Sequence, residues 1–385
     1  MTTDRLPAPR GHRFLCVDGD WSAESFHYEC PVCGGVVVVD AAPLTSAPES
    51  ETTATGIWRR SGLFPATTAR VSLGEGETPL IDWAPSEGRV FLKVESANPT
   101  LSFKDRAMAL AASFAVDGGF DGMVVASTGN AAASASAYAA RAGLGCRVIV
   151  GSESNASTKL RACLAYGADV EEVAGDYSAA YGEALSAERD GWLNVSTTFR
   201  NPVPAEAYRA VAFELAEQLG DAPDTVCIPI GAGPLLRGIE RGFSDLSDVS
   251  GSETPRLIGV QARAVSPIAT AWQASPDSPS GWEASLLRDH PAWQSTSATA
   301  IADPLRGYER QGMLTLASIA ASNGSAVAVG EDDIADATAR LRSAGIWVEP
   351  SSAIALVAAE RAARTAQGPV VAVLTGHGIK VQDAA

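Results

Sequence analysis

The chain reads as an α/β protein, and three features of its sequence predict that class. From about residue 90 onward, short aliphatic runs alternate with longer alanine-rich segments, the pattern of parallel strands joined by helices. Glycines stand where helix stop signals are expected, Gly143 after one alanine run and Gly167 after Tyr166. The composition, 46% hydrophobic and 19% charged over 385 residues, suffices to bury ordinary cores and does not fit a disordered chain.

Taken in order, residues 1–60 differ from the rest. They hold three of the six cysteines and two of the four histidines, and a Ser/Thr/Ala/Pro-rich stretch over 41–55 reads as a linker. The pattern then predicts strands over 90–94, 123–126, 147–150, 170–173, 225–230, 257–260 and 370–374. Helices are predicted over 105–114, 131–141, 157–166, 205–218, 331–343 and 352–365. Between 264 and 306 a Ser-, Pro- and Trp-rich stretch predicts loops or short helices rather than sheet.

Charge and composition exclude several function classes. With 29 basic and 45 acidic side chains the formal charge is −16, which argues against a nucleic-acid partner. No run approaches the roughly 20 apolar residues a bilayer crossing needs, so no membrane span is expected. The first eleven residues carry charges and two prolines but no apolar signal core, and the expected location is the cytoplasm. Six cysteines in a chain this long do not make a disulfide framework. Only four lysines are present, Lys93, Lys104, Lys159 and Lys380, so chemistry that needs a lysine amine has four candidates.

Four blocks carry residues suited to chemistry. Asn98-Pro-Thr-Leu-Ser-Phe103-Lys104-Asp-Arg106 falls between a strand and a helix. Its turn and cap residues put Lys104 at or near a helix start, where the positive end of the macrodipole disfavours a protonated amine. A neutral amine is what Schiff-base formation needs, although a lone lysine can equally be a solvated surface group. Ser127-Thr128-Gly129-Asn130 lies between the next strand and helix. It can be a plain turn capped by a hydroxyl, or a cradle for a carboxylate at a helix N-terminus, with Asn130 donating to a cofactor oxygen.

The third block, Gly231-Ala232-Gly233-Pro234-Leu235-Leu-Arg237-Gly238, matches neither the dinucleotide fingerprint nor a P-loop. What remains is a tight turn whose backbone amides suit one phosphate. The fourth, Leu374-Thr375-Gly-His377-Gly-Ile-Lys380, begins at the carboxyl end of the last strand, where open α/β sheets bind ligands.

In this order and spacing the blocks resemble the pyridoxal-phosphate enzymes of fold type II, the tryptophan synthase β-like group, and within it the threonine synthase family. The resemblance extends to Gly74-Glu-Gly-Glu-Thr-Pro-Leu80, Ala212-Phe-Glu-Leu-Ala-Glu-Gln-Leu-Gly220 and Glu349-Pro-Ser-Ser-Ala353, and so spans nearly the whole chain. The block containing His377 favours threonine synthase over the dehydratase and cysteine synthase relatives.

The resemblance implies a two-domain α/β fold of parallel-type open sheets flanked by helices. Residues 61–108 and 207–385 would form a large cofactor domain and 109–206 a small domain for the substrate carboxylate, in a homodimer. It implies pyridoxal 5'-phosphate held by Lys104 as a Schiff base, with Phe103 flanking the ring and Asn130 bonding its 3-hydroxyl. Gly231, Ala232, Gly233, Pro234 and Leu235 would hold the phosphate, and Thr375 would face the pyridine nitrogen, where a neutral hydroxyl does not enforce ring protonation. The implied reaction is that of a lyase on an activated small-molecule amino acid, converting O-phosphohomoserine and water to threonine and phosphate. Ser127, Thr128, Gly129 and Asn130 would meet that substrate.

Several positions depart from the family pattern. Leu101 and Ala107 stand where glycines are usual, and Ala131 and Ala132 follow Asn130 in place of a Thr-Ser pair. Ala205-Glu-Ala-Tyr-Arg209 replaces a Glu-Gly-Gln-Lys-Thr run, and the 231 loop lacks the usual asparagines. The alternative is therefore β-replacement on O-phosphoserine or a similar compound, as in the cysteate synthases that resemble this family, or a threonine/serine dehydratase. Arg106, Lys159 and Arg237 are the basic residues to consider for an anionic substrate, each also readable as structural.

At the start of the chain, Cys30-Pro-Val-Cys33-Gly-Gly looks like one knuckle of a zinc ribbon. The matching knuckle reads Cys16-Val-Asp-Gly19 and lacks a second thiolate, so a fourth ligand would have to be Asp18, His12 or His27. The expectation is a zinc-ribbon-like appendage, either holding zinc through Cys16, Cys30 and Cys33 or kept as a degenerate docking element. Cys146, Cys163 and Cys227 read as small core residues.

Overall fold

The computed structural model describes residues 12–41, 44, 46, 51, 53–65, 67–84, 89–152, 158–197, 199–276, 278–288 and 293–381. Residues 1–11, parts of the expected linker 41–55 and position 157 of the third expected helix lie outside the described residues, as does the side chain of His12. The strands, in chain order, are β1 (His12–Cys16), β2 (Ser22–Ala23), β3 (Val37–Ala41), β4 (Leu80–Asp82), β5 (Val90–Lys93), β6 (Gly122–Ala126), β7 (Gly145–Gly151), β8 (Asp169–Val173), β9 (Trp192–Asn194), β10 (Thr225–Pro229), β11 (Arg256–Ala262), β12 (Ser325–Val329) and β13 (Val370–Val373). They form three sheets, ordered β2-β1-β3, β8-β7-β6-β9 and β12-β11-β10-β13-β5-β4. The first is antiparallel and the second parallel. The third is parallel except at its edge, where β4 runs against β5. This is the α/β class the alternation predicts.

The chain divides into two compact units, one of Met1–Glu77, Asn98–Ala207 and Lys380–Ala385, the other of Thr78–Ala97 and Tyr208–Ile379. These borders differ from the expected 61–108/109–206/207–385 partition. Residues 61–77 and the Lys104 block belong with the first unit, and 78–97 with the second.

In the first unit β6 is buried along its whole length between β7 and β9. Val124, Ala126 and Ile149 pack against Ala180, Ala184 and Ala187 of the helix Tyr177–Arg189. Alanine faces let helix and sheet approach closely. The helices Lys104–Gly118 and Asn130–Ala142 both end on a left-handed glycine, Gly119 (φ 65°) and Gly143 (φ 71°). The small N-terminal lobe formed by β1–β3 rests on this unit through aromatic contacts. Phe26 lies 5.1 Å from Phe114 on the helix Lys104–Gly118, and the Asn194 N–H donates to Tyr28 Oη at 2.9 Å.

In the second unit β10 is the fully buried centre, and the helix Pro350–Ala363 supplies much of the core beside it. Lys93 at the end of β5 is completely enclosed. Its Nζ donates to Glu214 Oε2 (2.7 Å), to Gln218 Oε1 (3.0 Å) and to the Thr78 carbonyl (2.9 Å).

Most predicted elements fall within a few residues of those observed. The 205–218 segment is a 3-10 turn, Pro204–Arg209, followed by the helix Ala210–Leu219. The 264–306 stretch contains the short helices Pro267–Ala274 and Pro279–Leu286, in keeping with its irregular pattern. The 17-residue helix Pro234–Ser250 is absent from the predicted elements, although Leu235, Leu236, Ile239 and Phe243 mark an apolar face at helical spacing. Gly242 is there for close packing, since a Cβ would stand 2.4 Å from the Arg209 carbonyl oxygen. Among the described residues no helix is long and apolar enough to cross a membrane.

Candidate active site

Lys104 is the first residue of the helix Lys104–Gly118, as the turn chemistry predicts, but no hydroxyl caps that helix. Phe103 occupies the N-cap with helical angles and makes no side-chain cap bond. Order comes instead from Asp105. Its carboxylate accepts from the Thr100 N–H (2.6 Å), from Thr100 Oγ1 and from Ser134 Oγ (2.5 Å). Burial pushes the Asp105 carboxyl above its ordinary range, opposed by these hydroxyls and by Lys380, whose Nζ donates to the Thr100 carbonyl. Lys104 Nζ lies 4.6 Å from the centre of the Phe103 ring. Leu101, three residues earlier, holds a left-handed backbone (φ 65°), a conformation more natural to glycine. The Ser102 hydroxyl is buried without a hydrogen-bond partner.

The Ser134 bond ties this helix to the next one. Ser134 is on the helix Asn130–Ala142, whose first residue is Asn130, so the two candidate turns of the first unit are fixed through one carboxylate. The N-cap is Gly129, without a side-chain cap bond, contrary to the expected Ser or Thr cap. The Ser127 hydroxyl accepts from the Gly129 N–H at 3.0 Å, shaping the turn from within. Tyr138, two turns further along, donates to Glu75 Oε2 at 2.8 Å, and Glu75 also accepts from the Leu73 N–H at 3.0 Å. Burial raises the Glu75 carboxyl, and burial together with Asp105 and Glu75 raises the Tyr138 phenol. The Gly74–Leu80 block thus contributes a buried carboxylate rather than an exposed loop. Arg106 is fully enclosed, and Lys159, on the helix Thr158–Ala165, is nearly so.

In the second unit β10 and β13 are parallel neighbours, so the turns after them share one end of the sheet. The turn after β10 is Gly231–Leu235. Gly233 is left-handed (φ 93°), and a Cβ on it would stand 2.4 Å from Thr315 Cγ2. Thr315 Oγ1 donates to the Ala232 carbonyl at 2.5 Å, turning that oxygen aside. The helix Pro234–Ser250 starts there with proline at its first position, and its first intrahelical bond runs from Arg237 to the Gly233 carbonyl (3.1 Å). The Leu235 and Leu236 amides therefore have no acceptor within the helix. After β13, Thr375 is buried with its Oγ1 2.9 Å from Ser352 Oγ, and Ser352 Oγ accepts from the Gly376 N–H at 2.7 Å. His377 bridges to Val348, and a Cβ on Gly378 would stand 2.1 Å from Trp347.

Three positioning residues escaped the sequence reading: Asp105, Thr315 and Ser352. Asp105 and Ser352 stood inside quoted blocks, and their signal was a short polar side chain at a helix start. Thr315 sits mid-helix in Glu309–Ala321 and gave no signal.

A left-handed glycine turn backed by Thr315, with two helix-start amides beyond it, fits a phosphate. Within the first unit a lysine at a helix start beside an aromatic ring suits imine chemistry, and within the second the strand next to the phosphate turn's strand ends on a buried neutral hydroxyl, the kind of group that can face a pyridine nitrogen.

Comparison with known proteins points the same way. Residues 71–376 match the family model described as pyridoxal-phosphate dependent enzyme. The threonine synthase of Halalkalibacterium halodurans is 31% identical over 81% of this chain and 85% of its own. That of Methanocaldococcus jannaschii is 30% identical over 95% of this chain and 91% of its own. Among solved structures, maize serine racemase superposes with a TM-score of 0.68 at 18% identity, covering 89% of this chain and 97% of that one, which establishes likeness of fold.

Proposed function

Since this chain belongs to the pyridoxal-phosphate dependent enzyme family, as a threonine synthase-like lyase of fold type II, we propose that it releases phosphate from O-phosphohomoserine and adds water to give threonine. The observation that carries the substrate reading is the 30–31% identity to threonine synthases over 81–95% of the chain.

When bound, pyridoxal phosphate supplies an aldehyde for imine formation and a conjugated ring that withdraws electrons from the α-carbon of an amino acid. By the family resemblance, the residues that would hold it are Lys104, Phe103, Asn130, Gly231–Leu235 and Thr375. Lys104 Nζ stands at the positive end of a 15-residue helix, which favours its neutral, nucleophilic form. The same nitrogen is the base that takes and returns protons. Asp105 keeps the lysine's helix start in place by its bonds to Thr100 and Ser134. The Leu235 and Leu236 amides, without an acceptor in the helix, would hold the phosphate through the backbone. The Thr375 hydroxyl, held by Ser352 at 2.9 Å, would face the ring nitrogen as a neutral group that does not enforce its protonation. The turn Ser127–Asn130 receives the amino-acid carboxylate at the N-terminus of its helix.

A specific feature favours β-replacement on O-phosphoserine as the second reading. Ala131 and Ala132 give the first turn of the helix Asn130–Ala142 methyl groups only, and Ala132 is wholly buried. Phosphate release by the cofactor-loaded protein is expected from O-phosphohomoserine in preference to O-phosphoserine, with threonine as product. Preference for O-phosphoserine would overturn the first reading and establish the second. Lys104→Ala is expected to abolish turnover and the visible absorbance of the lysine-bound cofactor.

A further inference from the structure

We propose that the N-terminal lobe holds one zinc-type divalent ion through three thiolates, Cys16, Cys30 and Cys33, with the fourth tetrahedral corner, beside Gly19, open to an exchangeable ligand. The three Sγ atoms all lie within 4.8 Å of one another, and Cys16 and Cys33 are 3.4 Å apart. Sulfurs sharing a tetrahedral ion at bonds of ~2.3 Å stand about 3.8 Å from each other, so the cluster is already near ligand spacing.

The backbone shows why three ligands converge and a fourth does not. The turns that begin at Cys16 and Cys30 are copies of each other. The Cys16 N–H donates to the Trp21 carbonyl (2.9 Å), and the Cys30 N–H donates to the Gly35 carbonyl (3.0 Å), each five residues on. In the second turn the Gly35 N–H also donates to Cys33 Sγ at 3.3 Å, the bond expected where a thiolate serves as a ligand. Under this correspondence Cys33 matches Gly19. Gly19 is outside the left-handed region, and a Cβ built on it meets nothing within 4 Å. The corner is thus missing a side chain and has room for one.

Of the candidates for the fourth place, His27 is otherwise engaged. His27 shares a hydrogen bond with Ser25 Oγ (3.1 Å) and stands edge-on to Trp21, and among the described residues the mutually close ligand atoms are the three sulfurs alone. The lobe's own apolar core is small, Phe14, Phe26, Tyr28, Val37 and Val39 with the buried Cys16 and Cys30, and it leans on Phe114 of the helix Lys104–Gly118, so an ion shared by the three thiolates of its turns would add to the order that this packing supplies.

The test is cobalt titration of the full-length, metal-stripped protein under a non-thiol reductant. One equivalent of Co²⁺ is expected to give tetrahedral d–d bands and sulfur-to-cobalt charge transfer, both displaced by one equivalent of Zn²⁺. Added imidazole should shift the d–d bands of the wild type by entering the open corner. In Gly19→Cys the imidazole shift should vanish and cobalt should bind at least about tenfold more tightly, because a fourth thiolate closes the site. Failure of the wild type to bind cobalt, equal affinity in Cys33→Ser, or an unchanged imidazole response in Gly19→Cys would each overturn the proposal. None of these readouts depends on turnover, so the reading of the active site stands or falls separately.

Discussion

The turn after β6 and the turn after β10 both lead from a fully buried strand into a helix, yet they present a ligand with different chemistry. At Ser127–Asn130 the donors include side chains, the glycine at the N-cap is extended, and a methyl group added to it would meet only Ser127 Oγ at 3.6 Å. At Gly231–Leu235 no side chain of the turn itself is polar. Gly233 is left-handed, and the space over it is filled by Thr315. The first turn therefore tolerates change in its backbone and depends on its hydroxyls. The second depends on its backbone and is indifferent to most of its side chains. That is the division expected if one receives a variable amino acid and the other an invariant phosphate.

The largest expected effect comes from breaking the backbone of the second turn. Gly233→Ala forces both an unfavourable φ and a clash, and should weaken cofactor binding by about a hundredfold, whereas Gly129→Ala should stay within about threefold of wild type. Cofactor titration followed by absorbance decides it, and equal losses would dissolve the contrast. Next in size is Ser127→Ala, which leaves the Gly129 N–H without its acceptor. At about 1–2 kcal/mol, it should raise the KM for the amino acid roughly five- to thirtyfold with cofactor affinity unchanged.

Thr315→Val removes the bond to the Ala232 carbonyl and should lower cofactor affinity about fivefold, about 1 kcal/mol, with KM for the amino acid preserved. The smallest effect lies at the opposite end of β10, as a control. There the hydroxyl of Thr225 and the guanidinium of Arg256 overcome burial and hold Asp224 down at about 2. A depressed carboxyl stabilises the fold above its unfolded value and loses that contribution as pH falls from about 4 to about 2. Asp224→Asn should flatten this acid limb by about 1 kcal/mol in denaturation curves, discounted for solvent exposure, and leave cofactor binding untouched.

How far the sequence could be read follows from how local each signal is. Lys104 at a helix start was legible because Asn98, Pro99 and Thr100 mark the turn on their own. The Gly231–Leu235 turn was legible as a tight turn for the same reason. Its supporting Thr315, about 80 residues downstream, was not, because only tertiary packing brings it to the Ala232 carbonyl. The capping residues were misjudged at both helix starts. Ser127 bonds within its own turn, and Asp105, inside the helix, holds the preceding turn through Thr100 rather than capping the helix amides. Leu101 was noticed as a departure from glycine, and its left-handed φ shows that the backbone shape persists with a bulkier side chain. The helix Pro234–Ser250 was legible in principle from Leu235, Leu236, Ile239 and Phe243 at helical spacing, and Gly242, which serves packing, lies on that same buried face without interrupting it.

The enclosed Lys93 carries a consequence for how the second unit assembles. Its partners come from the strand-flanking residue Thr78 and from two positions one turn apart on the helix Ala210–Leu219, Glu214 and Gln218. A buried ion pair adds little over well-packed apolar groups, but leaving either charge alone in the interior costs several kcal/mol. Sliding that helix by one turn along β5 would do just that, so the pair acts as a register pin, admitting a single docking position for the segment that precedes the central strand.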